Sequence, residues 1–197
     1  MVDFISFRSE PLSLFNELII AAKKRGQKNV DAMCLSSIDH KDSTPQARFV
    51  NLKYVKDSKL IFFSNYNSNK SQQFQKYPYV SCTFFWSTID VQIRINGFIE
   101  KTSSEFSDLH FSKRSKEKNA LSIASYQSSK ISSFDEVVKK FNEVLKKNSI
   151  DKRPSYWGGY SITPNYFEFW KGGNNRLNKR EEFLLKEGKW IYSILEP

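Results

Sequence analysis

The stretch that decides the fold is AMCLSSIDHKDSTPQARFVNLKYVKDSKLIFFSNYNSNKSQQFQKYPYVSCTFF, which spans residues 32–85. It consists of short apolar and β-branched runs, and polar turns such as residues 40–44 and 56–58 separate them. Runs of this length and composition are typical of strands that tight turns join. The stretch therefore predicts an antiparallel sheet, with strands at residues 32–38, 48–54, 60–64 and 79–85.

Helices are expected around and within this sheet. Pro11 suits the first turn of a helix, and the apolar stripe that follows it at helical spacing ends before Gly26. Residues 102–105 and 133–136 resemble capping boxes that would begin two further helices, and a short helix is expected at residues 70–75. Strand-like composition continues at residues 91–100, 156–162, 166–170, 182–186 and 190–194. Strands at both ends with helices between them predict an α+β barrel that its final segments close.

The length and composition of the chain favour one domain. Its 197 residues are enough to bury a sizeable core, and no internal repeat divides them. The sequence shows no apolar leader, and no stretch approaches the roughly 20 apolar residues that span a bilayer. We therefore expect a single domain over residues 1–197, with no membrane partner and a cytoplasmic location.

Few residues suit metal binding or hydrolytic chemistry. Cys34 and Cys82 lie far apart in apolar stretches, so neither a disulfide framework nor a zinc spacing is indicated. His40 and His110 lie in no recognisable motif, so we expect no metal site and no Ser-His-Asp triad. The formal net charge of +10 favours an anionic partner, which includes nucleic acid, a membrane surface or a phosphorylated small molecule. Charge alone does not choose among them.

One motif with ligand-binding chemistry is Arg48-Phe49-Val50-Asn51-Leu52-Lys53. Arginine grips a phosphate with two parallel hydrogen bonds, and lysine acts as a mobile point charge. An odd spacing places Arg48 and Lys53 on opposite faces of a strand unless the strand bulges or ends between them. The motif suits a phosphorylated ligand, although charges at the end of a strand also occur simply because they face water.

A second motif runs from Phe167 to Arg180 and reads FEFWKGGNNRLNKR. An aromatic strand leads into a paired-glycine turn, whose backbone can approach a ligand closely, and two arginines four residues apart follow. Such a loop suits an anionic planar molecule. Aromatic strand residues also occur in cores, and basic loops are often simply solvated, so composition leaves both interpretations open.

Taken in order, these motifs resemble the pyridoxamine 5'-phosphate oxidase family along nearly the whole chain. The resemblance covers residues 10–15, 48–53, 62–65, 68–70, 91–92, 127–132, 154–160 and 167–180. Members of the family are split-barrel homodimers that bind flavin mononucleotide (FMN) in clefts between the subunits. The resemblance therefore implies an antiparallel split β-barrel with peripheral helices, an oxidase-like C-terminal segment at residues 154–197, and a homodimer with shared active sites.

The resemblance also implies which residues bind FMN. Cations and hydroxyls suit its phosphate, amides suit the polar edge of the flavin, and an aromatic ring suits its apolar surface. The family's FMN-binding pattern falls on Arg48, Lys53, Phe63, Ser64, Lys70, Gln92, Gln127, Ser128, Trp170 and Arg180.

The implied reaction is oxidation of a phosphorylated B6 vitamer, pyridoxamine 5'-phosphate or pyridoxine 5'-phosphate, to pyridoxal 5'-phosphate. In the family, a hydride moves from the substrate to flavin N5, and oxygen then reoxidises the flavin and gives hydrogen peroxide. The cofactor carries the difficult step, so no acid-base pair is needed. Lys53 and Arg114 would hold the substrate phosphate, and Arg176 would be the catalytic residue near the reacting carbon.

Several positions depart from the family pattern, mostly around the substrate. Asn178 stands where histidine is usual, and it cannot titrate near neutral pH. His110 replaces a usual tyrosine, Lys118 a usual serine, Asn69 a common arginine and Phe63 a common tyrosine. His110, Lys118 and Asn178 complete the implied substrate site.

Two alternatives to the oxidase hypothesis therefore remain. One is an FMN-binding family member with a changed substrate or low oxidase activity. The other is a basic nucleic-acid-binding module, which only the net charge and exposed-looking aromatic residues support. We expect FMN as the cofactor and no nucleic-acid partner.

Overall fold

The structure is a computed structural model that describes residues 11–147 and 149–197. Glu10, the first residue of the family resemblance, lies outside these ranges. The helices are α1 Pro11–Lys24, α2 Asn69–Lys76, α3 Ser104–Ser112, α4 Lys116–Ala124 and α5 Phe134–Leu145, with a short 3₁₀ turn at Asn174–Arg176. The strands are β1 Ala32–Ile38, β2 Pro45–Asn51, β3 Tyr54–Lys56, β4 Lys59–Asn65, β5 Tyr79–Trp86, β6 Val91–Lys101, β7 Trp157–Lys171, β8 Lys179–Lys186 and β9 Lys189–Leu195.

The strands form one antiparallel sheet in which β7 has three neighbours. The strand order is β2-β1-β5-β6-β7-β4-β3, and β8 joins β7 and β9 off this path. β6 pairs along residues 160–171 of β7, while β4 pairs with residues 157–162 and β8 with residues 166–171. Because β6 occupies one edge of β7, β4 and β8 must share the other edge in succession. The sheet curls into an antiparallel split barrel with helices around it, which confirms the expected α+β fold.

The continuity of β7 corrects the prediction of two separate strands there. Pro164 lies in the middle of β7 and has no backbone N–H to donate to a sheet ladder. The register between β6 and β7 shifts at Asn96 and Gly97, so the proline falls at a bulge. A Cβ atom on Gly97 would lie 2.5 Å from the carbonyl oxygen of Thr163, so only glycine allows this close approach.

The strand predicted at residues 48–54 is wrong at both ends. β2 begins at Pro45 and ends at Asn51, and Tyr54 begins a separate strand. Between them, the backbone N–H of Lys53 donates to the carbonyl of Ile61 at 2.8 Å. The strand therefore ends between Arg48 and Lys53, which removes the constraint that would have placed their side chains on opposite faces.

The structure also corrects the helix predictions in two places. The helix at Ser104 is capped by Ser103, whose hydroxyl accepts from the N–H of Phe106 at 3.1 Å, so the cap lies one residue later than the box at Thr102 predicted. Helix α4 was missed, although Ser115 caps it by accepting from the N–H of Lys118. The cap predicted at Ser133 is confirmed, because its hydroxyl accepts from the N–H of Glu136 at 3.2 Å. No helix in the described ranges has the length and apolar character that crossing a membrane requires.

Alternate side chains of the strands point into the barrel and form the core. On β5, Phe84 and Trp86 are almost fully buried, and α1 places Phe15 against both. The Phe15 and Phe84 ring centroids lie 5.2 Å apart in an edge-to-face arrangement. The indole N–H of Trp86 donates to the carbonyl of Val30 at 3.1 Å, so the one polar atom of this ring is satisfied.

We expect the Phe84→Ala variant to lose about 3–5 kcal/mol of unfolding free energy, because it leaves a cavity between α1 and the sheet. Urea unfolding at fixed protein concentration measures this loss. Phe134→Ala, at a position that is 77% exposed, is the matched control and should change stability by less than about 0.5 kcal/mol. Equal losses in both variants would contradict the core assignment.

Candidate active site

A cleft of about 1210 Å³ opens beside β2 and β4 and extends along α2, α3 and α4. Among the residues that the structure describes, six lysine and arginine side chains line it, and Asp39 is the only carboxylate that does so. The cations are Arg48, Lys53, Lys70, Lys113, Arg114 and Lys118. This excess of positive charge in a concave site favours an anionic ligand.

One group of cleft residues surrounds Arg48. Its guanidinium donates to the hydroxyl of Ser37 at 2.7 Å and to Oε1 of Gln73 at 3.0 Å. The amide of Gln73 donates in turn to Asp39 at 3.1 Å, and Ser37 donates to Gln73 at 2.6 Å. With a longer contact to the carbonyl of Leu35 at 3.3 Å, three neutral acceptors thus orient Arg48. Burial lowers the pKa of Arg48 from its ordinary value.

Lys70 is the most buried cation of the cleft. It is only 7% exposed, and its ammonium donates to the hydroxyl of Ser68 at 3.1 Å. Within the described ranges, no carboxylate forms an ion pair with Lys70 or Arg48. Burial, and then the charge of Arg48, lowers the pKa of Lys70 to about 8. A bound anion would stabilise both cations, because opposite charge favours the protonated form.

A stack of flat rings forms another part of the cleft. The rings of Phe63 and His110 are nearly parallel, with centroids 3.7 Å apart. The ring of Trp157 is nearly parallel to both, and its centroid lies 5.3 Å from that of Phe63 and 6.2 Å from that of His110. The hydroxyl oxygen of Tyr54 lies 2.8 Å from Nδ1 of His110. Burial lowers the pKa of His110 to about 4, with smaller contributions from Arg114, Lys53 and Lys113. The imidazole is therefore neutral at pH 7.

Arg114 lies over this stack. Its guanidinium carbon is 4.3 Å from the ring centroid of Trp157, a cation–π contact. The guanidinium also donates to the hydroxyl of Ser122 at 2.9 Å and to the carbonyl of Lys118 at 3.1 Å. Burial lowers the pKa of Arg114 to about 10, which leaves it charged at pH 7. Only neutral groups contact it, so its charge is available to a ligand.

Ten of the residues that the sequence predicted for the site line this one cleft. Arg48 and Lys53 both do so, because β2 ends between them. Gln127 reaches towards β4, where its Oε1 lies 3.4 Å from the N–H of Asn65 and 3.5 Å from the hydroxyl of Ser64. The ten residues are Arg48, Lys53, Phe63, Ser64, Lys70, His110, Arg114, Lys118, Gln127 and Ser128.

The other five predicted residues do not line the cleft. Gln92, Trp170 and Arg180 lie opposite one another in a row across β6, β7 and β8. Arg180 donates to the buried carboxylate of Glu168 at 2.9 Å, and Arg94 donates to the same carboxylate at 2.8 Å. Burial raises the pKa of Glu168, but the hydrogen bonds and charges around it outweigh burial, so the net shift is downward.

Arg176 and Asn178 lie in the loop that follows β7. Arg176 has a φ of 62°, in the left-handed region that disfavours side chains with a Cβ. The side-chain oxygen of Asn178 accepts from the N–H of Gly173 at 3.2 Å, and this contact closes the loop. In this chain Asn178 therefore braces the loop that carries Arg176.

Sequence reasoning missed Tyr54 and the ligand-facing position of Trp157. Trp157 belongs to the quoted motif at residues 154–160, but nothing in the motif shows that its ring stacks under Arg114. Tyr54 directly follows Lys53, and this adjacency was the available signal. Its contact with His110 joins residues 56 positions apart, which no local pattern predicts.

The comparisons with known proteins match both parts of the chain. A family model described as pyridoxamine 5'-phosphate oxidase matches residues 22–148. A model described as the pyridoxine 5'-phosphate oxidase C-terminal dimerisation region matches residues 157–197. The second match supports a homodimer.

Two curated relatives are named pyridoxine/pyridoxamine 5'-phosphate oxidase. The protein from Chromohalobacter salexigens is 36% identical over 194 residues, which cover 96% of this chain and 89% of the relative. The protein from Leptospira biflexa serovar Patoc is 38% identical over 191 residues, which cover 95% of this chain and 89% of the relative.

Two solved structures have the same fold. PhzG from Burkholderia lata 383, in complex with tetrahydrophenazine-1-carboxylic acid, matches with a TM-score of 0.91 at 24% identity, over 100% of this chain and 99% of its own. A pyridoxamine 5'-phosphate oxidase-related, FMN binding protein from Nostoc punctiforme PCC 73102 matches with a TM-score of 0.80 at 12% identity, over 96% and 99%.

Fold, cleft and relatives together define an FMN-dependent oxidoreductase built on a split barrel. The chain belongs to the pyridoxamine 5'-phosphate oxidase family. Its residues fit FMN, because the cleft offers two buried cations without carboxylate partners beside hydroxyl and amide groups. These are the groups that a phosphate and the polar edge of a flavin require.

The pKa of Lys70 predicts how anion binding depends on pH. Protonated Lys70 attracts an anion, so raising the pH through its pKa of about 8 should weaken binding. For sulfate, whose charge stays constant, we expect affinity for the FMN-free protein to fall about tenfold between pH 7 and pH 9, as calorimetry measures. Lys70→Gln should bind more weakly and equally at both pH values, whereas Lys118→Gln should keep the pH dependence. A wild-type affinity that does not change would refute this role of Lys70.

Proposed function

We propose that the protein oxidises pyridoxine 5'-phosphate, or pyridoxamine 5'-phosphate with uptake of water and release of ammonia, to pyridoxal 5'-phosphate. Oxygen is the electron acceptor and is reduced to hydrogen peroxide. The observation that carries the proposal is a single cleft with two clusters of cations, Arg48 with Lys70 and Lys53 with Arg114. Two clusters suit two phosphorylated molecules, the cofactor and the substrate. The names of the curated relatives support the same reaction.

The cluster of Arg48 and Lys70 binds the phosphate of FMN. Both side chains are partly or fully buried and orient through neutral partners, so an anion is the partner they lack. Ser64 and Gln127 contact each other in the same cleft and would supply a hydroxyl and an amide to the polar edge of the flavin. Lys53 and Phe63 complete the part of the FMN site that the cleft contains.

The cluster of Lys53, Arg114 and Lys118 binds the substrate phosphate. Arg114 is fixed by Ser122 and Trp157, so its guanidinium is oriented before a ligand arrives. Lys118 adds a cation whose side chain is exposed at the cleft. His110 contributes as a neutral ring, because its pKa of about 4 leaves it uncharged at pH 7.

A second subunit supplies the remaining predicted residues. Gln92, Trp170 and Arg180 lie in a row on the sheet, and Arg176 lies in the adjoining loop, away from the cleft of their own chain. Three of these four belong to the segment that matches the dimerisation region. A twofold dimer places one chain's row beside the other chain's cleft, which would complete two equal sites.

Bound FMN would supply the hydride acceptor and the path of the electrons to oxygen. The protein's own residues would hold the two phosphates and bring the guanidinium of Arg176 close to the reacting carbon, where it would orient the amine or alcohol for loss of a hydride. No side chain has to move a proton at an acid-base pair. Because the cofactor would accept the hydride and the protein would position the substrate, no carboxylate pair is required among the residues that line the cleft.

A changed substrate is the second candidate function, and Asn178 favours it. Its side-chain oxygen accepts from Gly173, so it is used to hold the loop. An asparagine offers no titratable group near the reacting carbon. If this loss matters, the protein keeps FMN and oxidises another anionic substrate.

Anaerobic mixing of the FMN-loaded protein with each phosphorylated vitamer tests the proposal. We expect the flavin absorbance to bleach, pyridoxal 5'-phosphate to form, and the absorbance to recover when oxygen enters. A bound flavin that neither vitamer reduces would reject the proposed substrates and leave the second candidate.

The Arg176→Ala variant should retain most FMN affinity but reduce flavin about 100-fold more slowly, because a positioned charge near the reaction is lost. Stopped-flow absorbance under anaerobic conditions measures the rate. Arg25→Ala, an exposed arginine after α1, is the matched control and should reduce flavin at the wild-type rate. Unchanged reduction in Arg176→Ala would remove this residue from the mechanism.

A further inference from the structure

Tyr54 contacts the cleft through His110, and the sequence predicted no role for it. It is the first residue of β3 and directly follows Lys53. Its hydroxyl oxygen lies 2.8 Å from Nδ1 of His110, and the two rings meet edge to face with centroids 5.5 Å apart. The contact joins β3 to α3, so it depends on the packing of α3 against the barrel.

The packing fixes the plane of the His110 ring. Phe63 stacks on the ring with an interplanar angle of 10°, and Trp157 continues the stack. Tyr54 stands almost perpendicular to the imidazole, at 85°. Phe63 fixes the plane of the imidazole, and Tyr54 contacts one of its nitrogens. The imidazole therefore has a defined orientation where it lines the cleft.

The position of the imidazole proton follows from this contact. Burial, with Arg114, Lys53 and Lys113 nearby, lowers the pKa of His110 to about 4, so the ring is neutral and only one nitrogen bears hydrogen. A phenol is a good hydrogen-bond donor, and an unprotonated imidazole nitrogen is a good acceptor. The O–H of Tyr54 therefore donates to Nδ1, which leaves the hydrogen on Nε2.

Nε2 is then the ring nitrogen available to a ligand. Among the residues that the structure describes, none forms a hydrogen bond with Nε2, while His110 lines the cleft next to Arg114 and Lys53. A neutral N–H beside these cations offers a directed donor without adding a further charge that would have to be desolvated.

We propose that Tyr54 is a positioning residue that holds His110 as its Nε2–H tautomer, so that Nε2 donates a hydrogen bond to a phosphate oxygen of the substrate. The identity of that phosphate rests on the proposed function. The pair explains how a histidine serves at a position where the family usually has tyrosine: the hydroxyl is supplied by Tyr54 from the neighbouring strand and acts through the imidazole.

Nuclear magnetic resonance of ¹⁵N-histidine-labelled, FMN-loaded protein tests the tautomer without turnover. The chain contains two histidines, and a His40→Gln variant assigns the spectrum. At pH 7.5 we expect Nδ1 of His110 to give the signal of an unprotonated nitrogen and Nε2 that of a protonated one. Added inorganic phosphate should shift the Nε2 signal. In Tyr54→Phe, which retains the ring contacts, both tautomers should be populated.

Steady-state kinetics provide a second test of the role of Tyr54. Tyr54→Phe should raise KM for the phosphorylated vitamer about tenfold with kcat within about twofold, because one directed hydrogen bond is weakened. In a His110→Ala background, adding Tyr54→Phe should have no further effect, since Tyr54 acts through His110. Tyr79→Phe, an exposed tyrosine on β5, is the control and should keep the wild-type KM.

The outcomes separate the inference from the proposed function. A wild-type Nδ1–H tautomer, or an unchanged tautomer in Tyr54→Phe, would overturn the inference even if the enzyme oxidises the vitamers. An additive effect in the double variant would overturn it as well. Nε2–H and a phosphate-induced shift without any vitamer oxidation would instead reject the substrate and support the anion-binding role of the pair.

Discussion

The backbone hydrogen bonds of β7 hold the rest of the structure in place, because they join strands from every part of the fold. β6 pairs along one edge of β7, and β4 and then β8 pair along the other. The bulge at Gly97 accommodates Pro164 and keeps β7 continuous. Without this continuity, β4, which carries Phe63 and Ser64, would lose its fixed relation to β8, which carries Arg180. One strand thus fixes the position of the predicted site residues on β4 relative to those on β8.

Among the described residues, Arg48, Lys70 and Arg114 line the cleft without a carboxylate partner, whereas Lys53 pairs with Asp31 at 3.0 Å. Lys70 and Arg114 are held by hydroxyls, carbonyls and aromatic rings, and burial lowers the pKa of each. Desolvating such groups costs stability unless an opposite charge is supplied. An anionic ligand supplies this opposite charge. The cations that lower the stability of the ligand-free protein therefore also give the cleft its affinity for anions and fix where the anion binds. Arg94 and Arg180, by contrast, both form ion pairs with Glu168 within the chain.

Much of the fold follows from local sequence patterns, and the predictions that failed did so for definite physical reasons. The sequence predicted β1, β5 and β6 closely, because alternating burial leaves a period-2 signal. It predicted β4 from a continuous apolar run, since this strand is buried along most of its length. The end of β2 was mispredicted because the apolar run continues through Leu52, while the chain turns there to pair Lys53 with β4. The missed helix α4 has a weak periodic signal, and its neighbour α5 supplies apolar packing that stabilises it.

The sequence by itself determined the antiparallel α+β architecture, the family and the cofactor, since these depend on local periodicity and on short motifs in a fixed order. It also predicted a set of site residues, of which ten line one cleft. Only the tertiary structure decided that Arg48 and Lys53 share one cleft, that Gln92, Trp170 and Arg180 form a separate row, and that Tyr54 meets His110. These relations join residues that are distant along the chain. They arise from strand register, chain reversals and burial. These bring distant atoms together in space and leave no pattern among residues that are adjacent in the sequence.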